Sequence, residues 1–386
     1  MHGSRGELAM TRWGGWVDRC LGWRDRLLAS PSFQRRAAAF APTRPIARRH
    51  ARELFDLVAG FVYSQVLLAC VQLRLFEFLA EGPQPVERLA QRLDLHLDAA
   101  RRLLDAAVAL RLVERRSEGR YGLGELGAPM VGNAAVAAMV QHHAALYADL
   151  ADPVALLRTS SDGRRDNVLA RYWAYDEAQV PDAAAAARVG TYSALMAASQ
   201  PLVADQILDA YALDRHRCLL DVGGGDGRLL ATVAQRVPSL HLMLFDLPAV
   251  AEQANARFAQ AGITERSRAF GGSFLTDALP TGADIASLVR VIHDHDDADA
   301  MTILRAVHEA LLPGGTLLLA EPMAGTPGAE AMGDAYFGFY LLAMGRGRPR
   351  RAVELTAMLK AAGFASVRPV PTRMPLQTRL LAARRS

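Results

Sequence analysis

The sequence predicts an α/β protein in which a mainly parallel, seven-stranded sheet is preceded by a helical domain ending in a winged helix. Three observations carry this prediction. From residue 214 onward, short apolar strands alternate with helix-length segments. The first of those strands runs straight into a glycine-rich turn, Leu219-Leu220-Asp221-Val222-Gly223-Gly224-Gly225-Asp226-Gly227. Upstream, two short helices are followed by a two-stranded hairpin.

Strands are expected at Cys218–Val222, His241–Phe245, Ser267–Phe270, Ile285–Val289, Gly315–Ala320, Ala365–Val370 and Gln377–Ala382. Helices are expected to begin near Arg228, Ala249, Ala298 and Ala352. Strands separated by helices of this length form a parallel sheet covered on both faces, which binds ligands at the carboxyl ends of its strands.

A chain of 386 residues exceeds what one compact unit usually needs. Four segments are expected. Residues 1–50 form a basic arm, 51–130 a winged-helix domain, 131–208 an alanine-rich helical connector, and 209–386 the sheet domain. The arm carries ten arginines against Glu7, Asp18 and Asp25. Trp13, Trp16, Leu21, Trp23 and Leu27 fall at spacings that give a helix one apolar face. Two readings stay open: a loosely packed extension, or an amphipathic segment touching a membrane surface or an acidic partner.

Residues 51–81 read as a long apolar helix pair ended by Gly82-Pro83. Its uncharged stretch, Leu57 to Gln72, falls short of the roughly 20 residues that span a bilayer, so a buried helix is expected. The winged helix follows: Val86–Leu93, then Leu97–Leu110, then two strands around the turn Glu118-Gly119. Nucleic-acid binding is not expected from it. Arg101, Arg102, Arg111, Arg115 and Arg116 share these elements with Asp94, Asp98, Asp105, Glu114 and Glu118, and phosphate contacts need an undiluted positive surface.

Hydrophobic content of 51% and charged content of 22% describe a well-cored protein. The net charge is +4, and Lys360 is the one lysine beside 43 arginines. Cys20, Cys70 and Cys218 are too few and too scattered for a disulfide framework or a metal site. The start lacks an apolar run followed by a small-residue cleavage site. A reducing, cytoplasmic setting and no metal are therefore expected.

The glycine-rich turn is compatible with a dinucleotide or with S-adenosylmethionine. A dinucleotide turn uses glycines at relative positions 1, 3 and 6; Gly223, Gly225 and Gly227 stand at 1, 3 and 5. Asp221 and Asp226 would repel a pyrophosphate but favour a sulfonium and an ammonium group. Asp246, in Phe245-Asp246-Leu247-Pro248, ends the second strand, where a carboxylate accepts ribose hydroxyls. Gly271-Gly272-Ser273-Phe274 follows the third strand, where Phe274 either stacks on adenine or packs in the core. The expected cofactor residues are Asp221, Gly223, Gly225, Asp246, Leu247, Ser273, Phe274 and Arg290.

Together with Val291-Ile292-His293-Asp294, these motifs resemble the small-molecule O-methyltransferases of the caffeate/acetylserotonin type, over roughly residues 51–386. The resemblance implies a class I methyltransferase sheet of Rossmann-like build behind a winged-helix dimerisation domain, and hence a homodimer. It implies His293 as general base and Glu321, in Leu319-Ala320-Glu321-Pro322, as the acid that orients it. The residues agree independently: His293 follows a strand on the ligand edge, and an imidazole titrating near pH 6.5 is largely neutral and can accept a proton. Asp294 is expected one layer further out. His295 stands where the family usually has tryptophan. The family's second acid, in a Glu-Arg-Thr stretch, is missing: Pro349-Arg350-Arg351 stands there, so either Glu321 suffices or another group such as Asp334 substitutes.

The segment 332–344 is rich in aromatics and methionines and is expected to wall an apolar acceptor pocket, unless it is a plain core helix. The expected lining is Met196, Tyr192, His142, Met323, Tyr336, Phe339, Tyr340 and Met344. The stretches Ser30–Arg35, Thr43–Arg49, Glu53–Gln65 and Gly345–Arg350 are similar to the carotenoid O-methyltransferases of purple phototrophic bacteria. That similarity implies methylation of a tertiary hydroxyl on a 1-hydroxycarotenoid, with peripheral contact at an inner or photosynthetic membrane. The competing readings are methylation of a phenol or polyketide, and a non-catalytic regulator that keeps the fold.

Overall fold

A computed structural model describes residues 4–164, 166–172, 203–375 and 378–386. Tyr192 and Met196, with Trp173 and Tyr175, lie outside the described residues. The chain divides into two compact units, Met1–Ala128 and Pro129–Ser386.

In the first unit three helices follow one another through tight turns: α1 (Ser4–Ala29), α2 (Pro31–Ala39) and α3 (Arg44–Gln72). Ser30 caps α2 by accepting the Phe33 amide, and Pro31 fits the first helical turn because its missing N–H has no role there. Helix α3 ends where Arg74 takes a left-handed conformation (φ 56°), and α4 (Leu75–Ala80) restarts at once. Then come β1 (Gln84–Pro85), α5 (Val86–Arg92), α6 (Leu97–Ala109), β2 (Val113–Arg115) and β3 (Arg120–Leu123). The wing is a sheet of order β1-β3-β2, turned by Glu118 and Gly119 at φ 59° and 68°. Its core is Leu75, Phe76, Leu79, Leu89 and Leu104. Four arginines of the winged helix are matched by acids: Arg101 with Glu87, Arg111 with Glu125, Arg115 with Asp105, Arg116 with Glu114.

The long apolar helix departs from expectation. It begins at Arg44, seven residues before the expected start, and it is not buried: of its residues only Cys70 and Val71 are. Leu54, Phe55, Leu57, Val58 and Phe61 are exposed, Leu57 at 81%. By length and composition α3 could also cross a membrane. The sequence pattern reads apolarity correctly, but apolarity alone does not say whether the covering surface belongs to the same chain.

The second unit opens with α7 (Ala134–Asp149), α8 (Pro153–Arg158) and α9 (Val168–Tyr172). A helix over residues 203–210, α10, leads into the sheet domain. Its elements are β4 (Cys218–Val222), α11 (Arg228–Arg236), β5 (His241–Asp246), α12 (Pro248–Gln260), β6 (Ser267–Gly271) and β7 (Ala283–Val289). Then follow α13 (Asp297–Ala310), β8 (Leu311–Glu321), α14 (Phe337–Met344), α15 (Ala352–Ala361), β9 (Phe364–Val370) and β10 (Arg379–Arg385). The sheet order is β6-β5-β4-β7-β8-β10-β9; β4 to β8 pair in parallel and β10 is antiparallel to both neighbours.

Successive strand residues feed opposite faces of the sheet. Leu220 and Val222 join a core with Ile303, Leu304 and Val307 of α13. Leu219, Leu242 and Leu244 join another with Leu229, Leu230 and Val233 of α11 and Phe258 of α12. The strand order reverses between β4 and β7, and the crevice at that switch point receives the glycine-rich turn.

Phe258 is fully buried, and its ring sits against the Cα face of Gly227 at the end of that turn. Phe258→Ala is expected to lower unfolding free energy by about 3–5 kcal/mol in urea titration; a loss under about 1 kcal/mol would mean that this face does not carry the domain.

Candidate active site

The turn between β4 and α11 has the backbone its glycines allow. Gly223 and Gly225 hold φ of 70° and 60°, which side chains other than glycine rarely adopt. Gly223 donates its amide to Phe245 O at 2.8 Å, so the turn is tied to β5. Asp246 ties it a second time: its carboxylate accepts the Gly225 amide at 2.8 Å and the Leu247 amide at 2.8 Å. Burial raises the Asp246 pKa, and the two amides pull it back. Each oxygen keeps a lone pair, so the carboxylate can still accept hydroxyls.

Asp221 lies beneath the turn, 1% exposed, with Ser287 donating to Oδ1 at 2.6 Å across β4 and β7. Its Oδ2 is buried under Gly224 without a donor among the described residues. Burial pushes this carboxyl up to about 7, with the Asp246 charge adding to it. A cation nearby would restore its charge. Asp226 does not serve as expected: Arg257 at 2.6 Å and Arg228 at 3.1 Å bind its Oδ2, so its charge is neutralised. The exclusion of a pyrophosphate therefore rests on glycine spacing. Both arginines beside the turn are engaged by Asp226 and are not offered as a phosphate cradle.

Ser273 and Phe274 lie past β6, half-buried. Ser273 is bound into a local turn through its amide to Asp277 at 2.8 Å. The Phe274 ring meets His295 edge-on with centroids 5.3 Å apart and borders Gly223. Arg290, just past β7, takes a left-handed conformation (φ 57°), a costly backbone for a residue with a side chain. A glycine cradle, a buried acid with an oxygen to spare and a second acid with lone pairs left suit a nucleoside carrying positive charge.

His293 is 8% exposed, in a short 3-10 turn just past β7. Its Nδ1 is bound to Glu321 Oε2. Glu321 is 2% exposed at the last position of β8. Its Oε1 accepts the amides of Val291 at 3.1 Å and Ile292 at 2.8 Å. Asp294 is closer than expected: its Oδ1 lies 3.1 Å from His293 Nε2. Burial pulls the His293 pKa down, but the charges of Asp294 and Glu321 and the Glu321 hydrogen bond outweigh it, and the imidazole is pushed up to about 9. The two carboxylates thus favour the imidazolium over the neutral ring that a lone side chain would be. Burial raises the Asp294 pKa.

The family's second acid is absent at Pro349. Asp334 does not substitute: it accepts the Gly325 amide at 2.7 Å. Asp294 occupies the second ring nitrogen instead. The segment 345–350 has another task that the sequence did not reveal. Arg350 is 2% exposed and wraps the histidine turn from behind. It donates to Ile292 O, to His295 O and to Asp297 Oδ1, each at 2.7 Å. Arg348 donates its amide to His293 O at 2.9 Å, and Gly347 donates to Asp296 at 3.0 Å. The backbones come so close that a Cβ on Gly347 would lie 2.6 Å from the Asp294 carbonyl carbon. The visible signal was the Gly-Arg-Gly-Arg run itself.

Next to His293 stands an aromatic wall. The Phe337 ring lies 6.0 Å from His293 and contacts Tyr336 and Tyr340. Two hydrogen bonds pin α14 and its preceding turn to α7: His142 to Tyr340 and His143 to Tyr336, both at 2.8 Å. Burial, with help from His143, lowers His142 to about 4, so it stays neutral. Met323 and Met344 are buried in the core, and Phe339 is 37% exposed.

A histidine braced by an acid beside the glycine turn of this sheet defines an S-adenosylmethionine-dependent methyltransferase. The chain belongs to the O-methyltransferase family: the family's catalytic domain matches residues 161–365 and its dimerisation domain residues 55–133. It is similar to demethylspheroidene O-methyltransferase of Cereibacter sphaeroides, 42% identical over 96% of this chain and 94% of that one. It is 33% identical to acetylserotonin O-methyltransferase of Mus musculus, over 87% of this chain and 89% of that protein. Among solved structures, the S-adenosylmethionine-dependent methyltransferase SibL superposes with a TM-score of 0.70 at 26% identity, covering 86% of this chain and 98% of SibL.

Gly347→Ala is expected to push the histidine turn off its bracket, lowering kcat about tenfold or more while the S-adenosylmethionine Kd, read by calorimetry, stays within about twofold. An unchanged kcat would show that the close approach at Gly347 does not position the turn.

Proposed function

We propose that the protein transfers a methyl group to the tertiary hydroxyl of a 1-hydroxycarotenoid, with His293 as general base and Glu321 as the residue that positions it. The observation that supports the chemistry is the His293–Glu321 contact, because the two amides on Glu321 fix the direction from which it holds the ring. The 42% identity to a demethylspheroidene O-methyltransferase supports the substrate.

S-adenosylmethionine supplies the electrophilic methyl. Gly223, Gly225, Asp246 and Leu247 would hold it, with Asp221 beneath the turn favouring its positive charge and Ser273, Phe274 and Arg290 at its rim. Binding of a cation lowers the pKa of a neighbouring imidazole, so the elevated His293 pKa would fall toward neutrality in the loaded site. The acceptor hydroxyl would replace Asp294 at Nε2, which then takes the hydroxyl proton, and the displaced but still neighbouring Asp294 carboxylate steadies the ring that becomes charged. A tertiary alcohol is far less acidic than a phenol, so proton removal accompanies methyl transfer and does not precede it. The aromatic wall of Phe337, Tyr336 and Tyr340 offers an apolar surface to a polyene. Each tyrosine hydroxyl is already matched by a histidine, which leaves few polar groups to reward a hydrophilic acceptor.

The homodimer would form through the dimerisation domain, covering the apolar face of α3 from Leu54 onward. Residues 131–208 would line the acceptor side, Tyr192 and Met196 among them. The protein would work in the cytoplasm, peripherally at the membrane that holds its substrate. Nucleic acid is not among the proposed partners, because four of the five winged-helix arginines singled out, Arg101, Arg111, Arg115 and Arg116, are matched by acids. The second reading, methylation of a phenol, is favoured by the acetylserotonin enzyme among the relatives.

Incubation with S-adenosylmethionine and either 1-hydroxyneurosporene or a catechol, read by mass, separates the two readings; methyl on the catechol alone would reverse them. His293→Ala is expected to lower kcat by about 10²–10⁴-fold with cofactor affinity retained; unchanged turnover would remove it as the base. Activity requires the neutral ring, so the rate rises with pH through the His293 pKa. Glu321→Gln removes a negative charge, lowers that pKa and moves the rising limb to lower pH, with a reduced plateau. A limb that stays in place or moves up would contradict the proposed coupling.

A further inference from the structure

We propose that residues 15–52 form a docking surface for the anionic headgroups of a phospholipid bilayer. The proposal deepens the reading above that the acceptor is a carotenoid, a molecule that partitions into bilayers, and rests on it. Between residues 15 and 52 the chain has nine arginines against two acids, Asp18 and Asp25. One of those acids is spent locally, since Arg24 binds Asp25 at 2.7 Å. Helix α3 brings Arg44, Arg48 and Arg52 onto one face at four-residue spacing. With Ala41, Pro45 and Arg49 they line a cleft of about 460 Å3. Arg44 and Arg49 are partly committed, to the Ala38 and Ala39 carbonyls and to Glu53. Arg48 and Arg52 are exposed and make no ion pair among the described residues.

Large apolar side chains accompany this charge. Trp16 is 60%, Trp23 63%, Phe40 62% and Ile46 57% exposed. Phe40 and Ile46 flank the arginine cleft in sequence. Guanidinium groups beside exposed tryptophan and phenylalanine suit the headgroup layer, where arginines meet phosphate and aromatic rings sit at the level of the glycerol. A second copy of the chain is the weaker occupant for this surface, because nine arginines would face nine more. The dimerisation domain begins only at residue 55, so the apolar face from Phe55 onward is a separate region. The similarity to the carotenoid enzyme covers 96% of the chain and leaves about 15 of 386 residues out. It therefore runs through most of this arm.

The test is flotation of the full-length protein with vesicles of phosphatidylcholine alone, or with a third of the lipid as phosphatidylglycerol. Binding is expected to the anionic vesicles only, and to disappear at molar salt, where the screening length falls to about 3 Å. Arg48→Glu with Arg52→Glu is expected to weaken vesicle partition about tenfold or more. Trp23→Ala is expected to weaken it without changing its salt dependence. Equal binding to both vesicle types, or unchanged partition of the double variant, would overturn the proposal. Methylation of detergent-dispersed 1-hydroxyneurosporene is measured on the same samples. Failure there counts against the carotenoid reading, whereas normal methylation without vesicle binding counts against the docking surface alone.

Discussion

Glu321 joins three parts of the catalytic edge through one buried carboxylate. One oxygen takes the amides of Val291 and Ile292, where the chain leaves β7; the other takes His293 Nδ1. The carboxylate itself ends β8, the neighbouring parallel strand. The strand pair therefore sets the position of the acid, and the acid sets both the course of the turn and the plane of the ring. Removing it would orphan two buried amides, at about 1–3 kcal/mol each, besides releasing the imidazole. The strained Arg290 backbone immediately upstream is tolerated because its amide is held by Ala320 O and the next two amides by Glu321.

The same turn is bracketed from its other side. Arg350, Arg348 and Gly347 occupy its carbonyls and Asp296, Asp297. Amides are satisfied by an acid from the sheet and carbonyls by an arginine from the segment before α15. A short turn that would otherwise be adaptable thus has both kinds of backbone group spoken for. Asp294, next to His293, places a second carboxylate beside the ring from within the turn.

Much of this was legible from sequence, and the reasons are physical. Strand positions in the sheet domain followed from apolar runs between helices, and Cys218–Val222 and the helix start at Arg228 hold as expected. The positions of Asp246, His293 and Glu321 were readable because a residue at a strand's carboxyl end has its location fixed by topology. Environment was not readable. The imidazole was expected to be neutral, but the charges of Asp294 and Glu321 push its pKa up. Asp226 was expected to act on the ligand, but Arg257 and Arg228, 31 and 2 residues away, neutralise it. Helix α3 was expected to be buried, but hydropathy carries no information about which molecule covers a surface. Arg350 was invisible because an arginine in a run of arginines looks like surface charge.

Two carboxylates facing His293 favour its charged form until a cationic ligand arrives. The direct measurement is an NMR titration of the His293 ring, in the protein without ligands and with S-adenosylmethionine added. A ring pKa near 9 is expected in the first state and a fall in the second. A ring that titrates near 6.5 in both states, the value of an ordinary exposed histidine, would contradict it.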